Sequence, residues 1–248
     1  MTLTPPHLTR EPYVLRAPPG LPPGLLAADA LRSRVHPRYT SPRREAALDE
    51  TERLLDGKDS TPRLSDSIRR LKVARESRSG YERDKFRLWT DEDHDGCDTR
   101  KEVLLAEAVK KPRQGKGCKL TGGSWRSYYD DKTVTDARKL DIDHVVPLAE
   151  AWDSGASKWT AQHREQYADD LGSERSLVAV SLGPNRTKGD KDPAEWMPPA
   201  KDATCTYVAD WVSAKLRWKL TVDRAERTKL QKEAAGCPGT NTTLTPAL

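Results

Sequence analysis

Tryptophan and proline divide this 248-residue chain into two unlike parts. All seven Trp, the sole Phe and five of the seven Tyr lie between Tyr81 and Trp218. Residues 1–62 hold ten of the 18 Pro and no Trp. Repeated prolines interrupt any regular element there, and without Trp or Phe the segment reads as disordered or extended,. The expected organisation is a disordered Pro-rich leader over 1–62 and a helical lead-in over 63–80. A folded domain over 81–237 and a flexible tail over 238–248 complete it.

Charge follows the same division. The net charge is +5, and residues 81–248 balance at 28 basic and 28 acidic side chains, so the excess lies in the first third. A polyanion substrate would then depend on local clustering of basic groups. No run of about 18 apolar residues is present, so no membrane-spanning helix is expected.

Four cysteines, Cys97, Cys118, Cys205 and Cys237, permit three pairings. Pairing neighbours gives Cys97–Cys118 and Cys205–Cys237 and closes loops of roughly 20–35 residues. No two cysteines are close enough for a CxxC zinc site. Two disulfides in an oxidising compartment are expected, hence a secreted protein; four free thiols in a cytoplasmic protein are the alternative. The first 33 residues have no unbroken apolar core of a secretory signal,.

Within the domain, apolar periodicity and punctuation predict helices near 81–89, 99–110 and 157–171, the last with Ser157 as cap. Strands are expected over 118–130, 139–146 and 177–181. Pro184 suits the first residue of a short helix closed by Gly189. Asp192-Pro193-Ala194-Glu195 reads as another helix start. Two C-terminal helices, about 205–219 and 223–235, follow, the second with Asp223 and Glu226 as a capping box. In the lead-in, Ser65 is a candidate cap for a helix over 63–79. The fold class is α+β, a small antiparallel sheet surrounded by helices.

The chemistry concentrates in LDIDHVVPLAEAW and, about forty residues later, LGPNRTKGDKDPAEW. Asp143 and Asn185 offer two hard oxygen ligands, which suits Mg²⁺ or Mn²⁺. His144, neutral near pH 7, is a candidate base toward water. Successive strand residues face opposite ways, so Asp143 and His144 cooperate only at a strand end, and Pro147 fits such an exit. Asp141 alternates onto the face of Asp143.

DIDHVVP followed by NRTKGD resembles the ββα-metal site of HNH nucleases. With GCDTRKEVL, GSWRSYYDD, DHVVPLAEAW, NRTKGDKDPAEW and the C-terminal helix pair, residues 81–237 resemble secreted actinobacterial HNH-family proteins related to the C-terminal domain of GmrSD-type restriction endonucleases. The resemblance implies an endonuclease acting on DNA, with RNA as the alternative. It implies His144 as general base and Asp143 and Asn185 as ligands of one divalent ion. It places the ββα unit in strands 139–146 and 177–181 and the 184–189 turn of helix. Lys188 is then either a phosphate contact or a solvated surface lysine. The forty-residue insertion between His144 and Asn185 departs from a compact ββα motif.

A second metal site is legible in DEDHDGCDTRKE, which matches D-x-D-x-D-G-x5-E. Asp91, Asp93 and Asp95 would bind Ca²⁺ through side chains, Cys97 through its carbonyl and Glu102 as the bidentate closer, with Gly96 at the sharp turn. Asp98 stands at the eighth position, which is usually apolar. The structural alternative is an acidic loop held by a disulfide.

The rival class is an exported, calcium-stabilised binding or scaffold protein with a decayed nuclease site. A toxin-like or modified-DNA restriction effector is a third reading, and no NTPase P-loop supports a self-contained restriction machine. Protein partners are not legible.

Overall fold

The computed structural model describes residues 61–245 and 247, so the leader before residue 61 lies outside the described part. In chain order the described elements are α1 (Leu64–Arg70), α2 (Thr99–Ala106), β1 (Arg113–Gly115), β2 (Lys119–Thr121), β3 (Trp125–Ser127) and β4 (Lys132–Val134). Then come β5 (Leu140–His144), α3 (Leu148–Asp153), α4 (Ala161–Ala168), β6 (Leu177–Ser181), α5 (Leu182–Lys188), α6 (Thr204–Arg217) and α7 (Arg224–Ala235). The architecture is α+β. Its strands form three separate antiparallel ribbons, β1–β2, β3–β4 and β5–β6, in place of one sheet.

The β5–β6 ribbon organises the rest. Its register pairs Asp141 with Val180, Asp143 with Val178 and His144 with Leu177. Alternation sends Leu140, Ile142, His144, Leu177 and Ala179 to one face and Asp141, Asp143, Val178 and Val180 to the other. The first face closes a small core with Val103, Leu104 and Trp125. Val178 and Val180 join the main core, which α6 fills with Tyr207, Val208, Trp211 and Val212, each 0% exposed. Both faces are apolar enough to be covered, which is why all five residues of β6 are buried,.

Local chemistry explains most boundaries. The Asp98 carboxylate accepts the Lys101 amide at 3.0 Å and starts α2,. Asp223 accepts the Glu226 amide at 2.7 Å and starts α7, as expected. Gly189, at φ +56°, ends α5,. The α5 helix begins two residues before Pro184, directly after β6.

Several expectations are corrected. The strand foreseen over 118–130 breaks at Gly122 and Gly123, whose φ values are +70° and +89°. A Cβ on Gly123 would stand 2.8 Å from the Trp125 ring. The helix foreseen from Ser157 begins at Ala161, because Thr160, not Ser157, accepts the His163 amide at 3.1 Å. Residues 81–89 contain only a 3-10 turn at Arg83–Lys85, since Phe86 enters the core in extended conformation. Asp192 does accept the Ala194 amide at 2.6 Å, but no helix follows; Pro198 and Pro199 forbid continuation,. The lead-in helix stops at Arg70, and Arg63, not Ser65, precedes it. The α3 helix after Pro147 was not foreseen.

The segment expected as a loose tail is tied down. Leu64 N–H donates to Thr240 O at 2.9 Å, and Thr242 N–H donates to Pro62 O at 3.0 Å. Among the described residues, no helix is long and apolar enough to cross a membrane. Cys97 pairs with Cys118 and Cys205 with Cys237, and no free cysteine remains.

Cys205–Cys237 joins the start of α6 to the second residue past α7 across a sequence separation of 32. Replacing both cysteines with Ser is expected to remove about 3–4 kcal/mol in the chain-entropy model. Urea unfolding under non-reducing conditions measures it; an unchanged midpoint would show that this bond constrains nothing.

Candidate functional site

The β5–β6–α5 unit brings four sequence-predicted groups to one place. Asp141 and Asp143 project from one face of β5, and α5 lays Asn185 and Lys188 over it. The Lys188 ammonium is 0% exposed and lies 2.5 Å from Asp143 Oδ2. It also donates to the His144 backbone carbonyl at 2.8 Å. The Tyr129 hydroxyl donates to the same Asp143 oxygen at 2.6 Å. Neither surface role expected for Lys188 fits: it is no solvated lysine, and no phosphate reaches a group sealed this way.

Burial dominates the protonation of this pair. It raises Asp143, opposed by Lys188 and Tyr129, and it lowers Lys188, opposed by Asp143. The ion pair holds because each partner compensates the other's desolvation.

Asn185 meets Asp141, not Asp143: its amide nitrogen donates to Asp141 Oδ2 at 3.2 Å. Both residues are half-buried. Asp141, Asp143 and the Asn185 amide form a hard-oxygen set suited in chemistry to a small divalent ion. Asp143 joins it only by sharing or releasing Lys188.

His144 is the last residue of β5, so the strand ends where cooperation with Asp143 requires it. Its side chain nevertheless points to the opposite face. Its Nε2 lies 2.8 Å from the Ala168 carbonyl, and its ring packs between Trp89 at 5.9 Å and Tyr167 at 6.1 Å. A carbonyl only accepts, so Nε2 carries the proton and Nδ1 keeps the lone pair. The ring is 6% exposed, and burial lowers its pKa to about 4. Trp89 is held at φ +59°, in the left-handed region, with its amide on Asp169 Oδ1 at 2.7 Å,. Tyr129, Trp89 and the Ala168 carbonyl were missed by sequence reasoning. Tyr129 lay in GSWRSYYDD, but a backbone carbonyl leaves no trace in a sequence.

The acidic loop brings two groups of ligand atoms together. Ligand oxygens of Asp91, Asp93 and Asp95 lie within 4.8 Å of one another, and Asp95 and Glu102 lie equally close. Gly96, at φ +92°, donates its amide to Asp91 Oδ2 at 3.1 Å. Asp91 Oδ1 is buried without a hydrogen-bond partner. Burial raises the Glu102 pKa, and the carboxylates of Asp95, Asp93 and Asp91 add to it. The loop is short of positive charge, which fits a hard cation. The Cys97 sulfur belongs to a disulfide, so only its carbonyl remains as a donor. An entering α-helix is absent; the loop follows a bend and leads into α2.

A small α+β domain with disulfides, carboxylate clusters able to hold a divalent metal and a strand–strand–helix acidic site is of a nuclease-associated class. Residues 97–233 match the family described as GmrSD restriction endonucleases, C-terminal domain, and the chain belongs to that family. It is 42% identical over 158 residues to an uncharacterized secreted protein of Arthroderma benhamiae, covering 64% of this chain and 76% of that one. No solved structure matches it.

Two outcomes follow from the site's burial. The His144 imidazole should stay neutral down to about pH 4, against an ordinary value of 6.5. The unfolded chain takes up that proton first, so acidification between about pH 6.5 and 4 removes stability at this residue. An NMR titration of its ring protons checks this; a midpoint near 6.5 would contradict it. Lys188→Met leaves Asp143 buried and unpaired and should cost about 3–5 kcal/mol. Adding Asp143→Leu should restore part of it in urea unfolding.

Proposed function

We propose that this protein is a metal-dependent HNH-type endonuclease that hydrolyses phosphodiester bonds in DNA or RNA, in an oxidising extracellular setting. The observation that carries the reading is the β5–β6–α5 unit, which gathers Asp141, Asp143 and Asn185 around one acidic face with His144 at the strand's end. Membership of a nuclease family supports it. The extracellular setting rests on the two disulfides and on a relative described as secreted,.

His144 is the general base. The Ala168 carbonyl fixes Nε2–H, so Nδ1 is the nitrogen that takes the proton of the attacking water,. Asp143 and Asn185 would hold Mg²⁺ or Mn²⁺, with Asp141 orienting Asn185. When bound, such an ion neutralises charge at the phosphoryl and leaving oxygens. Lys188 positions Asp143 and ties α5 to β5. The loop of Asp91, Asp93, Asp95, Cys97 and Glu102 takes Ca²⁺ as a structural ion.

A second reading has one observation in its favour. The burial of His144 and the engagement of Asp143 by Lys188 suit a calcium-stabilised binding protein whose nuclease site has decayed.

Plasmid nicking in Mg²⁺, Mn²⁺ or EDTA separates the two. Wild type should nick only with metal, and His144→Ala should fall by about 100-fold or more. Equal nicking by both rejects His144 as base, and none by wild type with any metal favours the binding protein. Calcium at 100 times its Kd should add about 2.7 kcal/mol of stability, lost in Glu102→Gln. Identical melting in calcium and EDTA would remove the structural-ion assignment.

A further inference from the structure

Between Ala108 and Tyr129 the chain holds six basic residues and no acidic one. Residues 81–248 balance their charges, so this run is a local excess,. Two of the six are engaged within the fold. Lys111 donates to the Leu105 carbonyl at 2.8 Å near the end of α2, and Arg126 pairs with Asp131. The next exposed cations, Lys132 and Arg138, likewise pair with Asp130 and Asp136. Lys110, Arg113, Lys116 and Lys119 are exposed and have no acidic partner among the described residues. They lie on the β1–β2 hairpin and the residues leading into it.

The hairpin register pairs Arg113 with Thr121, Gln114 with Leu120 and Gly115 with Lys119. Alternation therefore puts Arg113, Lys119 and Thr121 on one face and Gln114 and Leu120 on the other. The second face looks inward. The Gln114 amide lies 3.2 Å from Cys97 Sγ and 3.5 Å from Cys118 Sγ, and Leu120 packs on the core of Val103, Leu104 and Trp125. The acidic loop joins the hairpin from this inner side, through Cys97–Cys118. Arg113 and Lys119 are diagonal neighbours on the outer face, with Cα atoms about 7–8 Å apart. Lys116 stands in the turn, next to Gly117 at φ +63° and Cys118 at φ +53°. Because the disulfide pins this turn, the cations sit on a fixed platform, and a partner need not order the backbone.

We propose that the outer side of this hairpin docks the sugar–phosphate backbone of a nucleic acid through Lys110, Arg113, Lys116 and Lys119, an inference that rests on the nuclease reading above for the identity of its partner. Lys, Arg and Thr are the side chains that hold phosphate oxygens, and Thr121 stands beside Arg113,. An open row of cations suits a polymer of repeated charges, whose bound counterions are released on contact. The outer strand positions, Arg113, Gly115, Lys119 and Thr121, offer no large apolar or aromatic group to enter a bilayer or stack on a base. Contact is therefore with the backbone and independent of sequence. Leu120 packs against the same core that Leu140 and Ile142 close, and His144 lies on that face of β5. A strand held by the hairpin is anchored on the His144 side of the ribbon.

Binding is measured on the full chain in EDTA, by anisotropy of a fluorescein-labelled DNA duplex and a labelled single-stranded RNA across a salt series. Arg113→Gln, Lys116→Gln and Lys119→Gln together should weaken binding at least ~10-fold at low salt and flatten the slope of log Kd against log salt by about 2–3. Arg113→Lys with Lys116→Arg and Lys119→Arg keeps the charge and should stay within about twofold of wild type. Arg224→Gln, Lys229→Gln and Lys232→Gln on α7 remove the same charge elsewhere and should change affinity by less than about threefold. The replaced hairpin side chains are exposed, so melting should not change. Equal binding by the hairpin variant and wild type, or an equal loss in the α7 variant, overturns the surface. So does hairpin-dependent binding of phosphatidylserine vesicles with none of either nucleic acid. Because EDTA prevents metal-dependent hydrolysis, the nuclease reading fails separately: hairpin-dependent binding without nicking in any metal sinks the enzyme and keeps the surface. Metal-dependent nicking that is unchanged in the hairpin variant does the reverse.

Discussion

One buried ammonium holds the candidate site together. Lys188, from the end of α5, reaches the Asp143 carboxylate and the His144 carbonyl at once. A short helix has little intrinsic stability, and α5 has seven residues,. Its position depends on this contact and on the apolar packing of β6. Removing one partner of such a pair leaves an uncompensated buried charge, which costs more than the pair contributes when intact. The same contact sets the site's chemistry: Asp143 is charged because Lys188 is there, and it is free to bind a cation only to the extent that Lys188 yields.

A second lysine repeats the device at the other end of the core. Lys215, 0% exposed, lies 2.5 Å from Glu150 and 3.3 Å from Glu226 and donates to Thr221 O at 2.8 Å. It gathers α3, α6 and α7 around one charge. More carboxylates than cations surround it, so burial and mutual repulsion raise Glu226 to about 7 and Glu76 to about 8. These shifts oppose that of His144. Below their raised values Glu76 and Glu226 bind protons more readily in the folded chain, so their effect favours the fold at lower pH, while His144 favours it at higher pH.

Much of this was legible in the sequence. Apolar β-like runs placed β5 and β6, and β6 was located to the residue as a short buried strand. Capping chemistry found α7, and the D-x-D-x-D-G spacing found the acidic loop. The cysteine pairing was readable as one of three options. Errors arose where tertiary demands overrode local signals. Phe86 unwound an expected helix because the core needed its ring, and Gly122–Gly123 divided an expected strand because Trp125 occupies the space of a Cβ. The partners of Asp143 and Asn185 were not readable, since spacing cannot say whether the Lys188 side chain turns inward or outward on α5.

The alternation of side chains along β5 separates the two halves of its site. His144 and Asp143 are neighbours in sequence with side chains on opposite faces of a two-stranded ribbon. The two meet only through the backbone at the ribbon's end, where Val145 and Val146 turn into the core at 0% and 1% exposed. That end is walled by Trp89, Ala168 and Asp169, and the Thr90 carbonyl accepts the Thr99 amide at 2.9 Å, which closes the acidic loop. The surroundings of His144 are therefore built from the same backbone that shapes the loop. The loop is connected to the imidazole through hydrogen-bonded backbone: Asp169 accepts the Trp89 and Thr90 amides, and the Ala168 carbonyl beside it accepts the His144 ring proton.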